Sequence, residues 1–263
     1  MTAYCSLTAL KTYLDVTVST DDALMQSMLD ASASRIDARC GRVFSAAADS
    51  TRYFDVSRDI LRDELWLDGD LSHITSVVNG DGANITSGIY ANPRNVTPYY
   101  SLGIKTSSSA FWTYANDVQN AISVTGRWAY MSSFAITTIV RSSNIVQAVC
   151  SIPDLSVGAS IFIVGVSDTS FNGTFTVTSN SGAIITWAQT ASNASDATGY
   201  ALCVPTDISH ACKRLAAWLY RQKDTQQGDA DRPIIAGDGT VIMPTTLPQD
   251  VEKMLLPYTR AIR

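Results

Sequence analysis

The sequence predicts an α+β protein carrying an inserted all-β domain, on three observations. Amphipathic stretches with helix-cap residues stand at both ends of the chain. Short apolar runs, separated by turn pairs such as Asn79-Gly80 and Asp81-Gly82, fill the stretch from Thr51 to Tyr130. Between Ser132 and Cys203 the chain holds four charged residues in 72, against 39 in the other 191. That window also holds 22 Ser or Thr and no Lys, a shift that marks a separate module. The expected organisation is residues 1–131, an inserted domain at 132–204, and a return to the first domain over 205–263.

Each element has its own warrant. Ser6 is placed to cap a short helix bearing Leu7, Leu10 and Leu14. Thr20 is placed to cap a longer one, with Asp21 and Asp22 in its first turn, where the helix dipole favours acids. Its apolar stripe runs through Leu24 or Met25, Met28 or Leu29, Ile36 and Cys40, small residues fill 31–34, and Gly41 suits its C-terminal cap. Tyr53-Phe54, Leu65 to Leu67, Ile74 to Val78, Ile89-Tyr90 and Ala121 to Tyr130 read as short strands. Tyr99 to Trp112, aromatic and Ser-rich, reads as a strand pair with a long loop. In the low-charge window, about six strands are expected, from Thr137 to Val204, forming a compact sandwich or barrel. Pro205-Thr206-Asp207 opens a helix to about Lys223, with Ile208, Leu215 and Leu219 on its apolar side. A Gln/Gly/Asp-rich linker follows, and Pro248 to Tyr258 makes a last short helix.

Composition removes several function classes. Hydrophobic residues make up 46% of the chain, enough for a sizeable core. A net charge of −5 argues against a generally basic nucleic-acid binder. No apolar run reaches the length of a membrane span, and the first residues carry no secretory pattern. The five cysteines, Cys5, Cys40, Cys150, Cys203 and Cys212, form no CxxC pair and read as free buried thiols.

Chemistry-bearing patterns are nearly absent. The two histidines, His73 and His210, have no nucleophile at a telling spacing, and there is no G-x-S-x-G elbow. Phosphate-loop and dinucleotide fingerprints are missing too. Asp63-Glu64, Asp68-Gly69-Asp70 and the Asn79 to Gly82 stretch read as turn acids, since the 12-residue calcium-loop pattern is lacking. The sequence therefore predicts no catalytic residue, no metal and no cofactor, and shifts weight to a structural or binding role.

Several segments carry a resemblance. They are Tyr4 to Leu14, Asp21 to Arg42, Thr51-Arg52-Tyr53-Phe54-Asp55, Val124 to Tyr130, Cys212 to Asp224, and Leu247 to Tyr258. In this order they are similar to the head–tail connector (adaptor) proteins of tailed bacteriophages. The similarity covers 1–130 and 205–263, and the low-charge window interrupts it. Within that window, Asp168 to Thr178 resembles a recurrent β domain of phage structural proteins.

The resemblance implies a helical adaptor core with a small β region, the all-β domain being inserted in it. It also implies a virion protein of the neck, assembled in the host cytoplasm as a homo-oligomeric ring, usually of twelve copies, at the portal vertex. Such a ring contacts the portal protein and a tail or neck protein, and genomic DNA passes through it without specific binding. No membrane contact is expected. The C-terminal tail reaching the portal would be Val251, Met254, Leu255, Leu256 and Tyr258. Each large apolar side chain buried there would contribute roughly 1.5–3 kcal/mol; packing on their own subunit is the other reading. The ring-wall helix would present Lys213, Arg214, Trp218, Arg221 and Lys223. Those cations are open to neighbouring subunits, portal acids, DNA or plain solvent. The inserted domain is expected as an outward decoration. Two other classes stay in view: a tail-completion or capsid-decoration protein, and a carbohydrate-active enzyme with a β binding module.

Overall fold

The computed structural model describes residues 3–153, 155–222, 234–235, 241–242 and 247–260. The chain opens with helices α1 (Leu7–Leu14) and α2 (Asp22–Cys40). Next come β1 (Ser50–Phe54), the single turn α3 (Val56–Asp59), β2 (Ile60–Leu61), β3 (Glu64–Val78), β4 (Ile89–Asn92), β5 (Tyr99–Ile104) and β6 (Ile122–Trp128). Then follow β7 (Ser132–Ala135), β8 (Thr138–Ser142), β9 (Ile145–Val149), β10 (Ser160–Val164) and β11 (Gly173–Thr176). After them come β12 (Ser179–Asn180), β13 (Ile184–Ala188), β14 (Ala194–Asp196) and β15 (Tyr200–Cys203). Helix α4 (Thr206–Gln222), the short pair β16 (Ile234–Ile235) and β17 (Val241–Ile242), and helix α5 (Gln249–Leu255) complete the order.

This corrects the expected fold class. Strand accounts for 34% of the described residues and helix for 27%, so the protein is mostly β and not a helical adaptor core with a small β region. The reason lies in the stretch read as short strands and turns. Leu65–Leu67 and Ile74–Val78 are parts of one 15-residue strand, β3, because Asp68-Gly69-Asp70 runs on extended instead of turning. Arginines make that continuation tolerable. Arg52 reaches Asp68 at 2.7 Å, and Arg42 pairs with the buried Asp70 at 2.9 Å.

The chain divides into two compact units. The first gathers the described residues of Met1–Gly41, Asp154–Ala159 and Thr206–Arg263. Ser6 caps α1 as its pattern predicts: its hydroxyl accepts from the Ala9 amide at 3.2 Å and donates to the Val157 carbonyl at 2.7 Å. Gly41 ends α2 with φ +62°, a left-handed value that glycine adopts without steric cost. Thr20 is not the cap of α2; the helix starts one residue after Asp21, whose carboxylate accepts from the Tyr220 hydroxyl at 2.6 Å. Met25, Leu29, Ala33 and Ile36 of α2 are fully buried, as are Ile208, Ala211, Cys212 and Leu215 of α4. Helices α2 and α4 pack against each other. The Cys212 Sγ lies 3.8 Å from the Leu29 carbonyl, an approach that small residues such as Ala33 and Ala211 permit.

The second unit spans Arg42–Pro153 and Ser160–Pro205. Its first sheet is antiparallel in the order β1-β6-β3-β5-β4, with β2 paired to β3. Alternating residues of β6, Ile122 and Val124, enter a core with Phe54, Leu65, Leu71 and Leu102. The window from 132 to 203 supplies two more antiparallel sheets, ordered β11-β10-β15-β7 and β12-β13-β9-β8-β14. Ser143 and Asn144 both take positive φ, the geometry of a tight two-residue hairpin between β8 and β9. Phe175 of β11 stacks on Trp187 of β13 at 5.3 Å between ring centres. Arg141, the only cation in this window, is 2% exposed. Its guanidinium donates to the Ser192 carbonyl at 2.7 Å and the Ser170 hydroxyl at 2.9 Å, above the Phe171 ring.

Candidate functional site

The residues singled out from sequence lie in the first unit. On α5, Val251 and Leu255 face inward and are fully buried in their own unit. The i, i+4 spacing aims both at the same neighbours, and α5 packs on α4. Met254 and Tyr258 are half-buried, and the Tyr258 hydroxyl donates to Asp207 at 3.2 Å. Leu256 is 56% exposed and is the tail residue most open to solvent. The expected apolar anchor is thus divided between the unit's own core and its surface.

On α4, the cations are engaged locally. Arg214 pairs with Asp250 and donates to the Tyr13 hydroxyl at 3.3 Å. The Lys213 ammonium lies 5.8 Å from the centre of the Tyr13 ring. Trp218 is half-buried and Arg221 exposed, while Lys223 falls outside the described residues. The cluster therefore includes contacts that tie α4 to α1 and α5, besides the exposed Arg221.

The cysteines resolve as free thiols, all five buried. Burial pushes Cys203 and Cys212 up to about 12, and Cys5 and Cys150 up to about 11. A thiol so far from its thiolate is a packing residue, not a nucleophile. Among the described residues no three His, Cys, Asp or Glu side chains converge as a metal site. No described helix is long and apolar enough to cross a membrane.

The second unit holds a polar hub that sequence reading missed. Arg127 of β6 is buried, forms an ion pair with Asp49 at 2.9 Å and donates to the Ala46 carbonyl at 2.7 Å. Burial lowers its basicity and the Asp49 charge opposes that shift. His73 of β3 stands edge-on to Phe162, with ring centres 5.9 Å apart. Burial also holds the His73 imidazole below its usual pKa, Asp49 pulling it up and Arg127 pushing it down.

Beside this hub opens a groove of about 920 Å³. His73, Tyr99 and Tyr130 line it from the first sheet and its flanks, Arg94 to Thr97 from the β4–β5 loop, and Ser132 to Ala135 and Tyr200 from β7 and β15. Its framework is tied by hydrogen bonds. The Ser72 hydroxyl accepts from the Met131 amide at 3.1 Å and donates to the Ala129 carbonyl, and Thr97 donates to the Met131 carbonyl at 3.0 Å. Burial raises the Tyr99 phenol, and the neighbouring Tyr200 adds to the shift. These side chains come from separated segments, so no spacing along the chain announces them; His73 was visible only as a lone histidine. No protein-family model matches the chain, and no curated protein is similar to it in sequence.

Proposed function

We propose that this protein is a structural component of a phage neck, copies of which form a ring on the portal and carry the DNA channel toward the tail. The observation that carries the reading is the ordered run of similarities to head–tail connectors across both flanks of the chain. The outer parts of those flanks support it: α1 and α2 from one end gather with α4 and α5 from the other in one unit, although more than 160 residues separate α2 from α4, while the rest of the first flank, from Arg42, belongs to the other unit. The reading does not require that helices dominate the protein. It requires a unit that repeats around an axis, and the exposed Leu256 and Arg221 give that unit surface groups for a neighbour or a portal subunit. Genomic DNA passes without specific binding, in keeping with a subunit of net charge −5.

The test is the copy number of this chain relative to the portal protein in purified tailed particles, by quantitative mass spectrometry. A ratio near one supports a ring stacked on the portal. A many-fold excess overturns the reading in favour of a capsid-decoration or tail protein. Absence from particles overturns a virion role altogether.

A further inference from the structure

We propose that the groove of the second unit binds an anionic saccharide, the sugar ring lying against Tyr99 and Tyr200 and its carboxylate meeting Arg94. The inference stands on this unit's own geometry and does not rest on the neck reading.

Size comes first. A groove of about 920 Å³ lies at the upper end of the roughly 300–1,000 Å³ range of small-ligand sites. Its charge is the second observation. Among the described residues no Asp or Glu lines this groove, and Arg94 is the one lysine or arginine that does. In a protein of net charge −5, a concave surface whose described lining carries no carboxylate, with Arg94 at its loop side and the Arg94 guanidinium 4.6 Å from the centre of the Tyr90 ring, favours an anion. The third observation is the chemistry of the walls. Tyrosines offer broad apolar faces that suit the C–H face of a pyranose, with a hydroxyl at the rim. Ser132, Ser133 and Asn95 add hydroxyl and amide groups matched to sugar hydroxyls.

Other ligand classes fit less well. A nucleic acid strand needs several cations to meet successive phosphates, and the described lining supplies Arg94 plus His73, whose protonation burial opposes. A purely apolar ligand would leave the wall hydroxyls without partners. The framework is also preformed, since the Ser72 and Thr97 hydroxyls already hold the Ala129 to Met131 backbone in place.

The experiment uses the full chain on a printed array of neutral, uronate-bearing and sialylated oligosaccharides, followed by titration of the best acidic glycan by calorimetry. Binding to acidic glycans over their neutral counterparts is expected. Arg94→Met should weaken it at least about tenfold, as loss of a charge-assisted pair does. Tyr200→Ala should weaken acidic and neutral glycans alike. Arg94 and Tyr200 are exposed, so both variants should keep the wild-type melting curve and circular dichroism spectrum. No glycan binding, binding that ignores charge, or binding unchanged in both variants would each overturn the proposal. A particle copy number that refutes the neck reading leaves this result untouched, and the reverse also holds.

Discussion

The guanidinium carbon of Arg127 lies 3.5 Å from the centre of the Phe162 ring, which joins β6 of the large sheet to β10 of the next. A cation over an aromatic face is attracted by the ring quadrupole, the more so when water is excluded. Here the same guanidinium also meets Asp49 at 2.9 Å and the Ala46 carbonyl at 2.7 Å. Around it, Ala129, Met131, Val164 and Leu202 form a small apolar cluster with Phe162.

Arg127→Ala should therefore destabilise the second unit by about 3 kcal/mol, since it removes one partner of a largely buried pair. Phe162→Leu should cost about 1–2 kcal/mol. Urea unfolding of the two single variants and the double variant checks this. Strict additivity in that cycle would show that the ring and the guanidinium do not couple.

Gly126→Ala should cost about 2–3 kcal/mol. A Cβ at this position overlaps the His73 backbone carbonyl oxygen and presses on the Leu71 side chain. Strand β6 is paired on both sides, to β1 and to β3, so it has nowhere to move. Thr125→Ala, on the same strand but with its hydroxyl at the surface against Thr51, should cost under about 1 kcal/mol. Equal losses in the two variants would refute the close-approach account.

His73 gives a pH signature with a defined sign. Its folded pKa is lowered from 6.5 by burial, so the unfolded chain binds the proton more readily. The contribution of a neutral His73 is therefore fully present above about 6.5 and is lost as pH falls below that value toward the folded pKa. His73→Gln should flatten the stability-against-pH curve between pH 7.5 and 5.5 by denaturant titration. An unchanged slope would show that this imidazole is not held neutral by its surroundings.

Thiol labelling tests the packing of both units at once. In native protein at pH 8, none of the five cysteines should react quickly with a disulfide reagent, because all are buried and those at 5, 150, 203 and 212 are held far above their thiolate range. In guanidinium, all five should react. One fast-reacting thiol in the native state would mark an opening near it, and Cys5, Cys40 or Cys212 would place that opening in the helical unit.

Local signals were legible wherever one residue type settles the geometry. Ser6 caps α1 and Gly41 closes α2, each a choice made within a few residues. The run from Ala121 to Tyr130 marked a strand, and the cysteines read as free buried thiols. What failed was the weight given to each part. Asp68-Gly69-Asp70 looks like a turn because acids and glycine favour turns, but Arg52 and Arg42 arrive from elsewhere in the chain and hold it extended.

The sequence by itself determined the helices at both ends, the charge-poor strand-forming window and the burial of the cysteines, because these depend on side-chain period and composition. Only the tertiary structure decided that the protein is mostly β, that Val251 and Leu255 are buried in their own unit, and that Arg127, Asp49, His73 and Phe162 meet. It also decided the groove, whose walls come from the segments around Ser72, Arg94, Tyr130 and Tyr200. Pairing between distant strands sets those meetings, and a pairing partner as far along the chain as Gly126 is from Ser50 leaves no mark in the local pattern.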